Sequence, residues 1–359
     1  MLALTHSAAK AGFVAFARFL PVVLLGLPAG LAADRLDRKR VMITADGVRA
    51  LAVGGLAVLV AFDPVFWPIP LIAFVEGSGE AFFSASQGGA LRAVVPPEQL
   101  AAAVSVQQGR VATVGLAGPP AGGFLFALGR AVPFAADAAS YAFSFGSLAL
   151  MRTPFQQPRE PRTATLRTEL ADGFRFVWRQ PFLRITTFLY GIGNFTIPGV
   201  IFTLVVVARR HGLGSAEIGL LLAAFSACLL LGAVASGAVR ARLSARAIIL
   251  LELGLGMLTL VYVAVPDVYV LAAALLPLGL VLPITDSVVI TRRLQITPDA
   301  MLGRVESARA TIARAAAPLG PLVAGILLTV ASGRATIAVF ALCSLALAAW
   351  GTFSRALRS

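Results

Sequence analysis

Polar residues are scarce along the chain and cluster between long apolar runs instead of alternating with apolar ones. A hydrocarbon core of about 30 Å takes about 20 apolar residues per helix. On that ruler the pattern predicts eleven spans: Ala8–Ala33 (A), Ile43–Phe62 (B), Pro68–Leu91 (C), Ala101–Ala127 (D), Ala131–Met151 (E), Phe182–Ala208 (F), Leu213–Val239 (G), Arg246–Val265 (H), Val268–Thr291 (I), Arg304–Ala331 (J) and Arg334–Phe353 (K). The longest polar stretch, Arg152–Gln180, divides five spans from six. Within it Leu166, Leu170, Phe174 and Val177 recur at helical spacing, which predicts an amphipathic helix on the inner membrane surface. The expected organisation is an N-terminal helical bundle over 1–151, a cytoplasmic linker over 152–181 and a C-terminal six-helix bundle over 182–359.

Composition narrows the class. Of 359 residues 58% are apolar and 13% charged, about half the charge of an ordinary soluble domain. The chain is therefore an all-α polytopic membrane protein. Cys228 and Cys343 each sit inside an apolar run, so no disulfide framework is expected. His6 and His211 are too few for a histidine metal site. A net charge of +13 would suit a nucleic-acid partner, but its placement argues otherwise. Twenty of the thirty Arg and Lys residues fall in loops on one side, against Lys10, Arg130, Arg209, Arg210 and Arg334 on the other. By the positive-inside rule the basic loops are cytoplasmic and the charge is topological. The expected location is the plasma membrane, with lipids and no nucleic acid as partners.

Ionisable residues at membrane depth cost about 2.5–3.5 kcal/mol each, so each needs a reason. Glu76 and Glu80 are four apart in span C, on one helix face. Arg18 of span A lies at the depth of Glu76, about 10–12 Å from the outer edge. An Arg18–Glu76 or Arg18–Glu80 pair is expected, the other carboxylate being free to carry a proton. Asp286 in span I and Arg309 in span J match in depth in the same way. Arg110, Asp137, Glu252 and Arg314 lie at depth without an expected partner. Span F (Gly191, Gly193, Asn194, Pro198, Gly199) and span I (Pro277, Gly279, Pro283) read as interrupted helices, which point to a transport cavity with Asn194, Pro198 and Pro283 at its wall. For Asn194 a helix-packing hydrogen bond is an equal reading. Catalysis has no candidate: Lys10 precedes Ala11 and Lys39 precedes Arg40, so there is no phosphate-binding Gly-Lys-Ser/Thr loop, and there is no Gly-x-Ser-x-Gly. No enzyme activity, cofactor or metal is expected.

A weak repeat links the halves. Gly118-Pro119-Pro120-Ala121-Gly122-Gly123 in span D returns about 202 residues later as Gly320-Pro321-Leu322-Val323-Ala324-Gly325 in span J. By the same offset the first half lacks its first span, with Met1–Lys10 as its tail. The small residues of span D read equally as a tightly packed hinge and as simple helix packing.

The loop Gly30-Leu31-Ala32-Ala33-Asp34-Arg35-Leu36-Asp37-Arg38-Lys39-Arg40 resembles the signature loop of the major facilitator superfamily. The Gly-Pro-Pro-Ala-Gly-Gly run resembles that family's exporter motif. Pro96-Pro97-Glu98-Gln99-Leu100 and Pro298-Asp299 with Gly303-Arg304-Val305 resemble its drug and siderophore exporter branch, the transmembrane secretion effectors. Asp37 stands where the family has a second Gly, Ala73 where many proton-coupled exporters have Arg before Gly77-Ser78-Gly79, and Ala241 where a second loop copy after Gly237 would have Asp. The resemblance implies a major facilitator fold of two pseudo-symmetric helical bundles, with eleven helices here instead of twelve. It implies that Gly30, Asp34, Arg35, Arg38 and Lys39 form a cytoplasmic gate, and that Gly118, Pro119, Gly122 and Gly123 form a hinge. It further implies a monomeric, proton-gradient-driven exporter of a small amphipathic drug, siderophore or metabolite, working by alternating access. The competing expectation is a non-transporting, degenerate or truncated paralogue that kept the fold.

Overall fold

The computed structural model describes residues 7–62, 65–156, 166–298 and 301–354. The tail Met1–His6, Asp299 of the turn before span J, and the loop residues Arg159, Arg162, Arg355 and Arg358 lie outside the described residues. The described chain is helical throughout, without strands. That follows from the apolar runs: in lipid no water satisfies a backbone amide, so intrahelical bonds must. Among the described residues eight helices are long and apolar enough to cross a membrane, at the positions of spans A, B and F to K. Spans C, D and E are helical too. The outward faces are apolar, with Phe62 87% and Leu51 79% exposed, as a lipid-facing surface requires.

The chain divides into two compact units, Met1–Pro161 with Gly214–Leu220, and Arg162–Leu213 with Leu221–Ser359. In the first, α1 (Ala8–Arg35) packs along α3 (Pro68–Val94), and α2 (Arg38–Phe62) packs between α3 and α5 (Val132–Leu150). The helix α4 (Leu100–Leu128) follows a short 3-10 turn. Close approach of α1 and α3 depends on Gly77, where a Cβ would collide with the Arg18 carbonyl oxygen. Gly77→Val should therefore cost about 1–3 kcal/mol by forcing the helices apart. Gly26→Ala, where a Cβ meets nothing within 4 Å, serves as the control. Thermal unfolding in detergent measures both; equal melting of the two variants would contradict the packing role of Gly77.

The second unit holds α6 (Leu166–Arg179), α7 (Pro181–Arg210), most of α8 (Ser215–Arg240), α9 (Ala245–Gly256), α10 (Val261–Ala264), α11 (Val268–Ile296), α12 (Leu302–Ala315), α13 (Leu319–Val330) and α14 (Gly333–Phe353). One core joins Ile185, Ile249, Leu253, Val289 and Leu347 across α7, α9, α11 and α14. A second joins Val177, Leu183, Val305 and Ala308. Val177 belongs to the amphipathic α6, whose apolar face thus packs partly on α7 and α12. The side chains of Leu166 and Leu170 lie outside the described residues.

The helix breaks do not fall in spans F and I. Span F is one continuous helix across Pro198, and span I is continuous across Pro277 and Pro283. A single proline removes one amide bond, and a long apolar helix held by its neighbours keeps its course through that loss. Span J is broken instead, between α12 and α13. There Ala317 and Leu319 donate to the carbonyls of Arg314 and Ala316, three residues back, and Pro318 donates nothing. Span H also loses α-helical form, over Met257–Leu260.

Candidate functional site

Charged side chains from several helices of the first unit converge at one point. Asp46 and Arg49 stand three apart on α2, Glu76 and Glu80 four apart on α3, and Tyr141 and Ser144 three apart on α5. Such spacings put each pair on one helix face. Arg49 sits at the centre. Its Nη2 lies 3.1 Å from Glu76 Oε1, 2.7 Å from Glu80 Oε2 and 2.7 Å from the Tyr141 hydroxyl, while Nη1 lies 3.8 Å from Asp46 Oδ1. Arg18 holds Glu76 from α1, with Nε 2.8 Å from Oε2 and Nη2 3.3 Å from Oε1. The Tyr141 hydroxyl donates to Glu76 Oε1 at 3.2 Å, and Ser144 donates to Asp46. The Arg49 guanidinium also stacks 4.1 Å from the Tyr141 ring centroid.

Burial and charge count give the cluster its character. Arg49 and Glu76 are each 6% exposed and Asp46 only 1%, whereas the Glu80 side chain keeps 43%. Two arginines face three carboxylates in direct contact, and Asp137 of α5 lies within electrostatic reach of both arginines, so negative charge is in surplus.

The loop between α1 and α2 folds onto the same unit. Arg38 donates from Nε to the Ala33 carbonyl at 3.1 Å, lies 3.9 Å from Asp34, and seats its guanidinium on α3 at Gly89, where any Cβ would collide with it. Lys39 reaches the last carbonyls of α5, donating to Ala149 at 3.3 Å and also to Met151. Those carbonyls are the negative end of a helix and suit a cation. Asp37 caps α2: its carboxylate accepts from the Arg40 amide at 3.1 Å. A Cβ on Gly30 would meet nothing within 4 Å, and Arg35 sits in the last turn of α1.

In the second unit a cavity of about 180 Å³ opens among α7, α9, α11 and α14. Tyr190, Asn194, Glu252, Thr285 and Asp286 supply its polar wall, and leucines and isoleucines the rest. Tyr190 donates its hydroxyl to Asp286. Among the described residues Asp286 and Arg309 form no direct ion pair. Tyr190 stands between them, with the Arg309 guanidinium 5.5 Å from its ring centroid, and Arg309 pairs with Glu306 at 2.7 Å. Asn194 donates to the Ala313 carbonyl at 2.9 Å. Pro198 and Pro283, expected at the cavity wall, are not among the residues lining it.

A profile of the transmembrane secretion effectors matches residues 1–305. The chain belongs to this family of major facilitator transporters. It is 30% identical to the multidrug efflux pump Tap of Mycolicibacterium fortuitum, covering 99% of this chain and 90% of that protein. The Tap pump of Mycobacterium tuberculosis is also 30% identical, over 94% of this chain and 83% of its own. Among solved structures, a bacterial homologue of the human lysosomal transporter Spinster, inward-facing and unoccupied, superposes with a TM-score of 0.76 at 16% identity, covering 98% and 90% of the two chains. The nucleoside transporter NupG does so with 0.72 at 14%, covering 96% and 90%. These two structures establish the fold.

The exporter motif of the family has an uneven role. A Cβ on Gly118 would meet only Val114 of its own helix, at 4.0 Å, and one on Gly122 nothing within 4 Å. Gly123 and Pro119 lie against the first turns of α8: a Cβ on Gly123 would collide with the Ser215 carbonyl, and one on Gly219 would stand 2.6 Å from the Pro119 carbonyl. The helix runs unbroken across Pro119 and Pro120. The Arg49 chain crosses α3 at Gly79, where a Cβ would sit 2.5 Å from its Cγ. Sequence reasoning left Arg49, Asp46, Tyr141 and Tyr190 unassigned. The three-residue spacing of Asp46 and Arg49 in span B is the signal that finds the first two.

Proposed function

We propose that the chain is a proton-coupled exporter that moves small amphipathic molecules out of the cytoplasm by alternating access. The observation that carries this reading is the buried cluster of Arg18 and Arg49 with Asp46, Glu76 and Glu80. A surplus carboxylate inside an apolar bundle is expensive, and a proton taken up on one side and released on the other gives it a use. Each charge moved down the membrane potential releases about 2.3 kcal/mol per 100 mV, enough to drive a substrate uphill. Glu80, half-exposed and bound to Arg49 alone within the cluster, is the proton carrier; Glu76 and Arg49 position it. The similarity to Tap multidrug efflux pumps supports a broad amphipathic substrate range. In this reading eleven spans form two bundles, 1–151 and 182–359, joined by a linker over 152–181. The basic loops face the cytoplasm, the Asp34–Arg38–Lys39 loop is the cytoplasmic gate, and the protein works as a monomer in the plasma membrane.

The test is a drug-susceptibility panel in an efflux-deficient host, spanning cationic, zwitterionic, acidic and neutral amphipathic drugs. The chain should raise the inhibitory concentration of at least one drug several-fold, and a protonophore should abolish that drug's efflux. No change across the panel, or efflux untouched by the protonophore, would contradict the proposal.

A further inference from the structure

We propose that the second unit carries a binding site for an amphipathic acid, with Arg314 as the anion's partner; this rests on the transport reading and names a substrate class for it. The 180 Å³ cavity adjoins a second of about 240 Å³, and the two share Tyr190, Asn194 and Asp286. The first is walled mostly by apolar side chains such as Leu253, Leu278 and Leu282. Arg293, Arg309 and Arg314 ring the second. Arg293 and Arg309 are both engaged by Glu306, at 2.8 Å and 2.7 Å. Asp286 accepts the Tyr190 hydroxyl. Arg314 makes no ion pair or side-chain hydrogen bond among the described residues, so of the three guanidiniums around the second chamber it is the one without a carboxylate partner; Glu252 lies across the first chamber, on the side of Asp286.

The break in span J is what holds Arg314 there. Because Ala317 bonds the Arg314 carbonyl, the Ala313 carbonyl loses its usual donor four residues on, and the Asn194 amide replaces it at 2.9 Å. The end of α12 is thereby tied to α7 beside the cavity. Arg314 stands ten residues into the span from Arg304, about 15 Å along the helix. A carboxylate or phenolate would accept a forked pair of hydrogen bonds from it, and an attached apolar body would fill the neighbouring chamber.

Three probes with one apolar body test this: naphthylbutyrate, naphthylbutanol and naphthylbutylammonium, measured by equilibrium dialysis against the protein in lipid nanodiscs, with empty nanodiscs subtracted. The acid should bind at least about tenfold more tightly than the alcohol, as a charge-assisted bond implies. Arg314→Ala should erase that preference while leaving the alcohol within about twofold, and Arg314→Lys should restore part of it. Equal affinities for acid and alcohol in the wild type, a preference for the amine, or no binding of any probe would overturn the proposal. The wild-type ratio decides the matter even if a variant fails to fold. Binding is read without a gradient, so failure here leaves proton coupling standing, and loss of coupling leaves this binding unchanged.

Discussion

Arg49→Ala should destabilise the protein by about 3–5 kcal/mol, the range for removing one partner from a buried ionic cluster. Among the described residues Arg49 is the only group that contacts Asp46, Glu76 and Glu80 at once. Without it Asp46 keeps only Ser144 among the groups described here, and Glu76 keeps Arg18 and Tyr141. Domains are stable by only about 5–15 kcal/mol, so most of the variant should fail to accumulate as a monodisperse species. Arg49→Lys keeps the charge and loses the forked geometry, so its melting temperature should fall between those of the wild type and Arg49→Ala. Adding Glu76→Gln to Arg49→Ala should recover part of the loss, because one buried charge leaves with its partner. Thermal unfolding followed by size-exclusion chromatography reads all four proteins. Melting of Arg49→Ala within about 2 °C of the wild type would mean that the cluster is not a structural keystone.

Glu80→Gln should leave the fold intact and stop transport. Its side chain is 43% exposed, and a pair of that kind contributes about 0–1 kcal/mol to stability. Glutamine keeps the shape and a hydrogen-bond acceptor for Arg49 but cannot release a proton. Gradient-dependent efflux should fall at least about tenfold while protein level and melting temperature stay near those of the wild type. Glu76→Gln differs: with 6% exposure and bonds to Arg18, Arg49 and Tyr141, it should lower stability as well as transport. Full efflux by a well-folded Glu80→Gln variant would remove Glu80 from the proton path and leave Glu76 or Asp46 as the carrier.

The sequence and the structure part company at identifiable residues. Apolar run length located the membrane helices, because a bilayer sets that length and little else competes. Counting depth from one edge placed Arg18 level with Glu76, and the two lie 2.8 Å apart. Arg49 of span B joins three helices, and that role depends on how α2, α3 and α5 pack, which no local pattern in the sequence states. The presence of proline alone does not mark a break: spans F and I run on through theirs, whereas span J breaks around Pro318, where Ala317 and Leu319 donate to carbonyls three positions back. The replacement of the family's loop glycine by Asp37 is explained by the cap it places on α2. The cavity in the second unit lies against spans F and I, which their glycines and prolines single out, and Glu252 stands out by its charge at membrane depth; Tyr190 carries no local pattern that announces it.

The most direct test of proton-coupled export uses membrane vesicles turned inside out, containing the wild-type chain and energised by respiration so that their interior is acid. An acridine dye reports the internal protons. Adding the drug to which the chain confers the greatest resistance should release protons and restore the dye fluorescence, while vesicles with Glu80→Gln should show no recovery. Drug uptake without proton release in the wild type, or equal recovery in both, would contradict it.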